Sequence, residues 1–228
     1  LDGDDGPQLH RAVDHGKDQS YVLAVLTPQQ IAGAMLPLGE STKVDVRGEA
    51  AQRGLLVADK PDSHDICFIP DGDTAGFLRS RLGERPGDII DAVTGERLGR
   101  HDGSYAFTVG QRRGLGLTVP TDDGARRYVL AIEPVDGNVM VGTRDRLYVA
   151  TITADRPRWC GAEPGQRFDA DVQVRAHGEI IPARVDLSEG GVSARLVRPV
   201  RGVAPGQTLV LYSGTRVVGS ATIAGSAE

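Results

Sequence analysis

A chain of 228 residues with 39% hydrophobic, 25% charged and 4% aromatic residues has room for about one large or two to three small domains with a sizeable core. Its net charge of −5 excludes a protein that is basic overall, so any contact with nucleic acid has to be local. Two cysteines far apart, no secretory apolar segment at the front and no run near the roughly 20 apolar residues of a membrane span exclude a disulfide framework and a spanning helix, and fit a reducing cytoplasm.

The 30 glycines and 13 prolines predict many turns and short strands rather than a helical bundle. The chain opens at Leu1 without a methionine on an Asp-Gly-rich loop and is expected to be a fragment, or a chain whose front is missing. Leu9 to Val13 reads as a short strand, one arm of a hairpin. Thr27 then offers a hydroxyl cap and Pro28 a first-turn proline, with Ile31, Ala34 and Met35 at helical spacing, which predicts a helix from Pro28 to Met35. Ser41 or Thr42 caps a second helix whose Val44, Ala50 and Ala51 are expected to face inward before Gly54 ends it.

The segment Lys60 to Pro70 sets Cys67 in an apolar run, Ile66 to Ile69, behind two carboxylates, a hydroxyl and an imidazole. Bounded by prolines, Cys67 is expected on or at the end of a short strand. Two readings stand side by side. Cysteine packs readily as a small hydrophobe and needs no chemistry to do so. A thiolate nucleophile or sulfur carrier is the other, with His64 or Lys60 lowering the thiol pKa and the charges of Asp62 and Asp65 working against it. A metal site is not expected, because one cysteine and one histidine do not make a ligand set and Cys160 lies far along the chain beside Trp159.

Asp73 or Thr74 caps a further helix carrying Phe77, Leu78 and Leu82, and brief apolar alternations between glycines follow from Ile89. In the run Phe107 to Leu117, glycines surround Arg112 and Arg113, so backbone can approach a ligand closely while guanidinium groups meet phosphate or carboxylate; a glycine-rich tip with solvated arginines explains the spacing equally well. The lysine and hydroxyl of a phosphate-binding P-loop are absent. Tyr128 to Ile132 and Val139 to Gly142 flank an Asp-Gly-Asn turn and predict a hairpin. Beyond Leu147, evenly spaced short strands with turns between them predict an antiparallel barrel. The fold class is thus mixed and mainly β: a small helical α+β segment, a small β-rich central domain and a C-terminal antiparallel β-barrel.

Lys17-Asp18-Gln19-Ser20-Tyr21, Asp62-Ser63-His64-Asp65-Ile66-Cys67-Phe68-Ile69 and Gly110-Gln111-Arg112-Arg113-Gly114-Leu115-Gly116, followed by Pro205-Gly206-Gln207 and Tyr212-Ser213-Gly214, resemble in order and spacing the tRNA-specific 2-thiouridylases, the MnmA/TrmU family, over essentially the whole chain. The resemblance implies three parts: residues 1–70 as the tail of an adenylating domain with the second catalytic cysteine, 71–146 as a central β-rich domain and 147–228 as the barrel. The family's N-terminal pyrophosphate loop and first catalytic cysteine are not in this sequence, so this stretch alone is expected not to adenylate.

The implied reaction uses ATP to adenylate the C2 oxygen of the wobble uridine of tRNA, after which a persulfide sulfur displaces AMP and leaves 2-thiouridine. Cys67 is implied to receive that sulfur from a cysteine desulfurase or persulfide relay protein, and to form a disulfide with the absent first cysteine as the sulfur leaves. Lys17, Asp18 and Gln19 match a tRNA-touching segment, as does Gln207, and Arg175 matches the first residue of an Arg-Tyr pair. Ala176 stands where the family has that tyrosine, so stacking by it is lost here. Arg112 and Arg113 are candidate tRNA contacts, and His64-Asp65 departs from the commoner pattern before the cysteine. The competing reading is an RNA-binding module with a purely structural Cys67.

Overall fold

The structure, a computed structural model, describes residues 2–3, 6–62, 69, 72–117, 124–133 and 135–227. In chain order the elements are β1 (Asp2–Gly3), β2 (Gly6–Pro7), α1 (Ser20–Leu23), α2 (Pro28–Ala32), α3 (Lys43–Gln52), α4 (Thr74–Leu82), β3 (Gly87–Asp91), β4 (Arg97–His101), β5 (Tyr128–Ile132), β6 (Val139–Gly142), β7 (Tyr148–Trp159), β8 (Arg167–Gln173), β9 (Ile181–Ser188), β10 (Gly191–Arg201), β11 (Thr208–Ser213) and β12 (Arg216–Ala227). The mainly β expectation holds. Two compact units result: Leu1–Asp62 with Ala150–Pro199 and Pro205–Glu228, and Ser63–Val149 with Val200–Ala204.

In the first unit, β10-β7-β12-β11-β8-β9 close into a barrel. The period-2 pattern that announced it is plain in β9, where Ile181, Ala183 and Val185 are buried and Pro182 and Arg184 exposed. Strand β11 departs from that alternation, since Leu209, Val210, Leu211 and Tyr212 are all at 0% exposure. Both of its faces are therefore covered. On one of them Val210 and Tyr212 join Leu9, Ala24, Ile31, Cys160 and Val217 in a single cluster, so residues 9–31 act as a lid sealed onto the barrel wall. Each aliphatic side chain buried this way contributes about 1.5–3 kcal/mol, and single truncations here are felt by both layers.

Leu9 and His10 reach the barrel by an isolated antiparallel bridge from His10 to Arg216, with Val217 N donating to Leu9 O at 2.9 Å. The expected strand at 9–13 is thus one bridge, and the short hairpin lies earlier, between β1 and β2. Helix α2 carries the expected cap: Thr27 Oγ1 accepts from Gln30 N and the Gln30 side chain accepts from Thr27 N. It stops at Ala32, because Gly33 caps it and no apolar surface lies beyond, and Met35 is 87% exposed.

Helix α3 begins at the expected Thr42 cap, but none of its residues is buried and Val44 is 79% exposed. Its inward face was misread from the apolar residues. Polar contacts hold it instead: Lys43 N donates to Asp14 Oδ2 (2.9 Å) and Arg47 Nη2 to Lys60 O (2.9 Å).

In the second unit, α4 starts at its Asp73 cap and leads to a sheet of order β4-β3-β6-β5, in which β3 and β6 pair in parallel and the predicted hairpin is β5-β6. Ile89, Leu98, Leu115, Val129, Val139 and Val141 form its core. The strand expected at Ile66 to Ile69 lies outside the described residues except for Ile69, which is buried.

Candidate nucleic-acid interface

The Lys17–Gln19 segment owes its shape to Asp18. Asp18 Oδ1 accepts from Ala12 N (3.1 Å) and Ser20 N (3.0 Å), and Oδ2 from Ser20 Oγ (2.8 Å) and Arg11 Nε (3.2 Å). A carboxylate offers about four lone-pair sites, and all are used. Burial pushes its pKa up, but these donors, led by the Ser20 and Ala12 amides, outweigh burial and hold the carboxyl below its ordinary value. With its side chain 8% exposed, Asp18 organises the turn, while Lys17 and Gln19 on either side of it are exposed.

From this turn polar contacts run into the barrel. Ser20 Oγ lies 3.2 Å from the Tyr212 hydroxyl, which donates to Gln173 Oε1 at 2.9 Å. Both hydroxyl protons are committed elsewhere, so the Ser20–Tyr212 contact is the weak link. Gln173, 6% exposed, donates through Nε2 to the carbonyls of Arg175 (2.8 Å) and Ala176 (3.1 Å), with Gly178 O at 3.4 Å, and so shapes the loop after β8. The Arg11 guanidinium covers the Tyr212 ring, 5.6 Å from its centroid. Tyr21 donates its hydroxyl to Thr208 O (2.8 Å), the residue after Gln207.

The structure therefore brings together three segments singled out in the sequence: 17–19, 175–176 and 207. A cleft of about 480 Å³ opens between the first two, lined by Arg11, His15, Asp18, Tyr21, Ala176 and His177 among others. Arg175 and Ala176 are exposed and Gln207 half-buried. Sequence reasoning missed Arg11, Ser20 and Gln173 as the supports of this arrangement.

A second polar centre surrounds Asp62. Lys17 Nζ stands 2.5 Å from its Oδ2, and Lys43 Nζ (3.3 Å) and Arg47 Nη2 (3.2 Å) from Oδ1. Hydrogen bonds from Lys17 and Lys43 bring this carboxyl down to about 2. Asp62 was expected to work against thiolate formation at Cys67; the three cations around it offset its charge, while its relation to Cys67 falls outside the described residues. Lys43 and Arg47 are one helical turn apart on α3, a spacing visible in the sequence, but nothing there pointed to Lys17 or Asp62 as their partners. Cys67 and His64 lie outside the described residues.

In the second unit the glycine-arginine run precedes β5 in the chain and lies alongside it without forming a strand of its own. Gly110 N donates to Val129 O (2.8 Å) and Val129 N to Gln111 O (2.9 Å). Gly110, Gly114 and Gly116 take φ of +90°, +73° and +64°, a region L side chains adopt rarely. Buried Leu115 anchors the run, and Arg112 and Arg113 are exposed. Cys160 is a core residue: burial pushes its thiol up to about 11, against the nearby Arg216 charge, and its Sγ lies 3.5 Å from Ala24 O. Among the described residues no group of three or more His, Cys, Asp or Glu is placed to hold a metal ion.

Three domain models of one family match the chain in succession: a tRNA methyl transferase HUP domain over residues 2–71, a tRNA methyl transferase PRC-barrel domain over 75–143 and an aminomethyltransferase beta-barrel domain over 149–223. The tRNA-specific 2-thiouridylase MnmA of Acidothermus cellulolyticus is 60% identical over 222 residues, covering 97% of this chain and 61% of the relative. The proteins of the same name from a Nocardioides species and from Salinispora tropica are 58% and 55% identical, each over 95% of this chain and 60% and 61% of the relative. The chain belongs to this family, the MnmA tRNA-specific 2-thiouridylases, and spans about 60% of the length of the relatives it matches.

Proposed function

We propose that this chain is the sulfur-accepting and tRNA-holding portion of a tRNA 2-thiouridylase that acts in the cytoplasm. In this reading residues 1–70 close the adenylating domain, 71–146 form the central domain and 147–228 the barrel, a division supported by the three successive family matches. Cys67 accepts one sulfur atom as a persulfide from a cysteine desulfurase or relay protein. The terminal sulfur passes to C2 of the wobble uridine, and Cys67 pairs with a second cysteine of the longer polypeptide as the sulfur leaves.

ATP supplies the activation of the C2 oxygen in this reaction. The described residues contain no nucleotide-phosphate cradle, so no adenylation step is derived from them. Their part is to hold RNA. The observation that carries this is that two separately braced segments line one cleft: the Asp18 carboxylate fixes the Lys17–Gln19 turn, and Gln173, held by the Tyr212 hydroxyl, fixes the Arg175–Ala176 loop. Exposed cations on rigid backbone suit phosphate positioning, and Gln207 extends the set; the Arg112-Arg113 pair of the second unit is a separate candidate contact. His64 adjusts the thiol.

Intact mass of the chain after incubation with a cysteine desulfurase and cysteine, without reductant, tests the sulfur role. A gain of one sulfur that disappears in Cys67→Ser is expected, with Cys160 as the unreactive internal control. No gain in the chain, or a gain retained by Cys67→Ser, contradicts the role and leaves the RNA-binding module with a structural cysteine.

A further inference from the structure

The Asp62 centre carries more positive charge than its carboxylate neutralises. Among the described residues, three cationic side chains lie within ion-pair distance of one carboxylate, an excess of two in that contact set. The cations keep 48%, 44% and 42% of their side-chain surface exposed, whereas the carboxylate keeps 24%. They cover it from outside and still face water. Asp14, whose carboxylate accepts from the backbone N–H groups of Gly16 and Lys43, keeps its own negative charge near the start of α3 and offsets part of that excess. Like charges gathered this closely repel unless an anion offsets them.

Geometry adds to the charge. Lys43 and Arg47 share one face of α3, and the reciprocal hydrogen bonds between Thr42 and Asp45 fix where that helix starts. Lys17 comes from the turn shaped by Asp18, which also forms one wall of the cleft described above. Two independently braced segments therefore aim their cations at one point, the arrangement a tetrahedral anion with several acceptor oxygens exploits.

We propose that Lys17, Lys43 and Arg47 form a site for an RNA backbone phosphate, with the Asp62 carboxylate as the resident anion that the phosphate displaces. This rests on the tRNA-holding reading and adds Lys43, Arg47 and Asp62 to it. The carboxylate keeps the cations gathered when RNA is absent and makes binding an exchange of one anion for another.

The test is the affinity of the full chain for an unmodified tRNA transcript with a wobble uridine, measured across salt concentrations. Asp62→Asn is expected to bind roughly fivefold more tightly at low salt, the size of one unit charge at contact distance in water. The double variant Lys43→Ala, Arg47→Ala is expected to weaken binding and to flatten the salt dependence by about 0.9 in log–log slope, the share of one phosphate contact. Should that pair disturb α3, Lys43→Gln alone, which leaves Asp62 bridged by Lys17 and Arg47, is expected to weaken binding and to flatten the slope by part of that amount.

An Asp62→Asn chain that binds no more tightly, with the slope unchanged in Lys43→Gln, overturns the site and leaves three ion pairs that only hold α3 down. A wild-type chain that binds no tRNA overturns the tRNA-holding reading and this site with it. Binding by the wild type with unaltered variants overturns this site alone.

Discussion

Two carboxylates beside Lys17 are held in opposite ways. Asp18 is almost enclosed and accepts four hydrogen bonds, three of them from the uncharged groups of Ala12 and Ser20, whereas Asp62 lies nearer the surface and meets Lys17, Lys43 and Arg47. Directed dipoles in a closed site fix a shape and leave nothing over. Cations around a half-buried carboxylate hold α3 by screened ion pairs and leave charge over for a ligand. One centre is therefore expected to govern stability, and the other binding.

The largest effect follows from removing the enclosed carboxylate. Asp18→Ala strands the Arg11 guanidinium and the Ser20 and Ala12 amides, and is expected to lower unfolding stability by about 3 kcal/mol in a denaturant titration. A loss below about 1 kcal/mol would put Asp18 on the same footing as a surface ion pair.

Tyr212→Phe comes next. It removes the donor to Gln173 and is expected to cost about 1 kcal/mol, with faster amide exchange in the Arg175–Gly178 loop. Unchanged exchange would show that Gln173 holds the loop without help.

Acid separates the two carboxylates by a third route. Both have folded pKa values below their ordinary ones, so the unfolded chain takes up protons first as pH falls. The stability each contributes is complete above the ordinary carboxylate range near pH 4 and is lost as pH falls through the folded value. About 0.5 M salt is expected to erase the exposed Asp62 share and spare that of Asp18, so Asp18→Asn should flatten the acid limb even in salt. Equal salt sensitivity in wild type and variant would break the contrast.

The smallest expected effect on stability is that of Arg112→Ala with Arg113→Ala. Both side chains are exposed, so the melting temperature should not move while tRNA affinity falls. Unchanged affinity at low salt would remove the glycine-arginine run from the interface.

The barrel was legible because β9 alternates from Ile181 to Val185 and β10 from Val192 to Leu196, and glycine marks the turn between them. The double burial of β11 was not, since the cover for Val210 and Tyr212 comes from residues 9–31, about 180 to 200 positions earlier in the chain. Helix α3 was placed correctly and faced wrongly, because apolar spacing was used to orient a helix that ion pairs hold. The candidate residues of the site, Lys17 to Gln19, Arg175 and Gln207, came from family resemblance. Its supports escaped because Ser20 and Tyr212 are separated by 192 positions, and Tyr212 and Gln173 by 39.

The central claim is that the Lys17–Gln19 turn and the Arg175 loop act as one RNA-holding surface. A double-mutant cycle on tRNA affinity with Lys17→Ala and Arg175→Ala, run across salt concentrations, tests it most directly. The account predicts that each variant weakens binding and flattens the salt dependence by about 0.9, with the pair departing from additivity. Wild-type affinity and slope in both variants, with the fold intact, would contradict it.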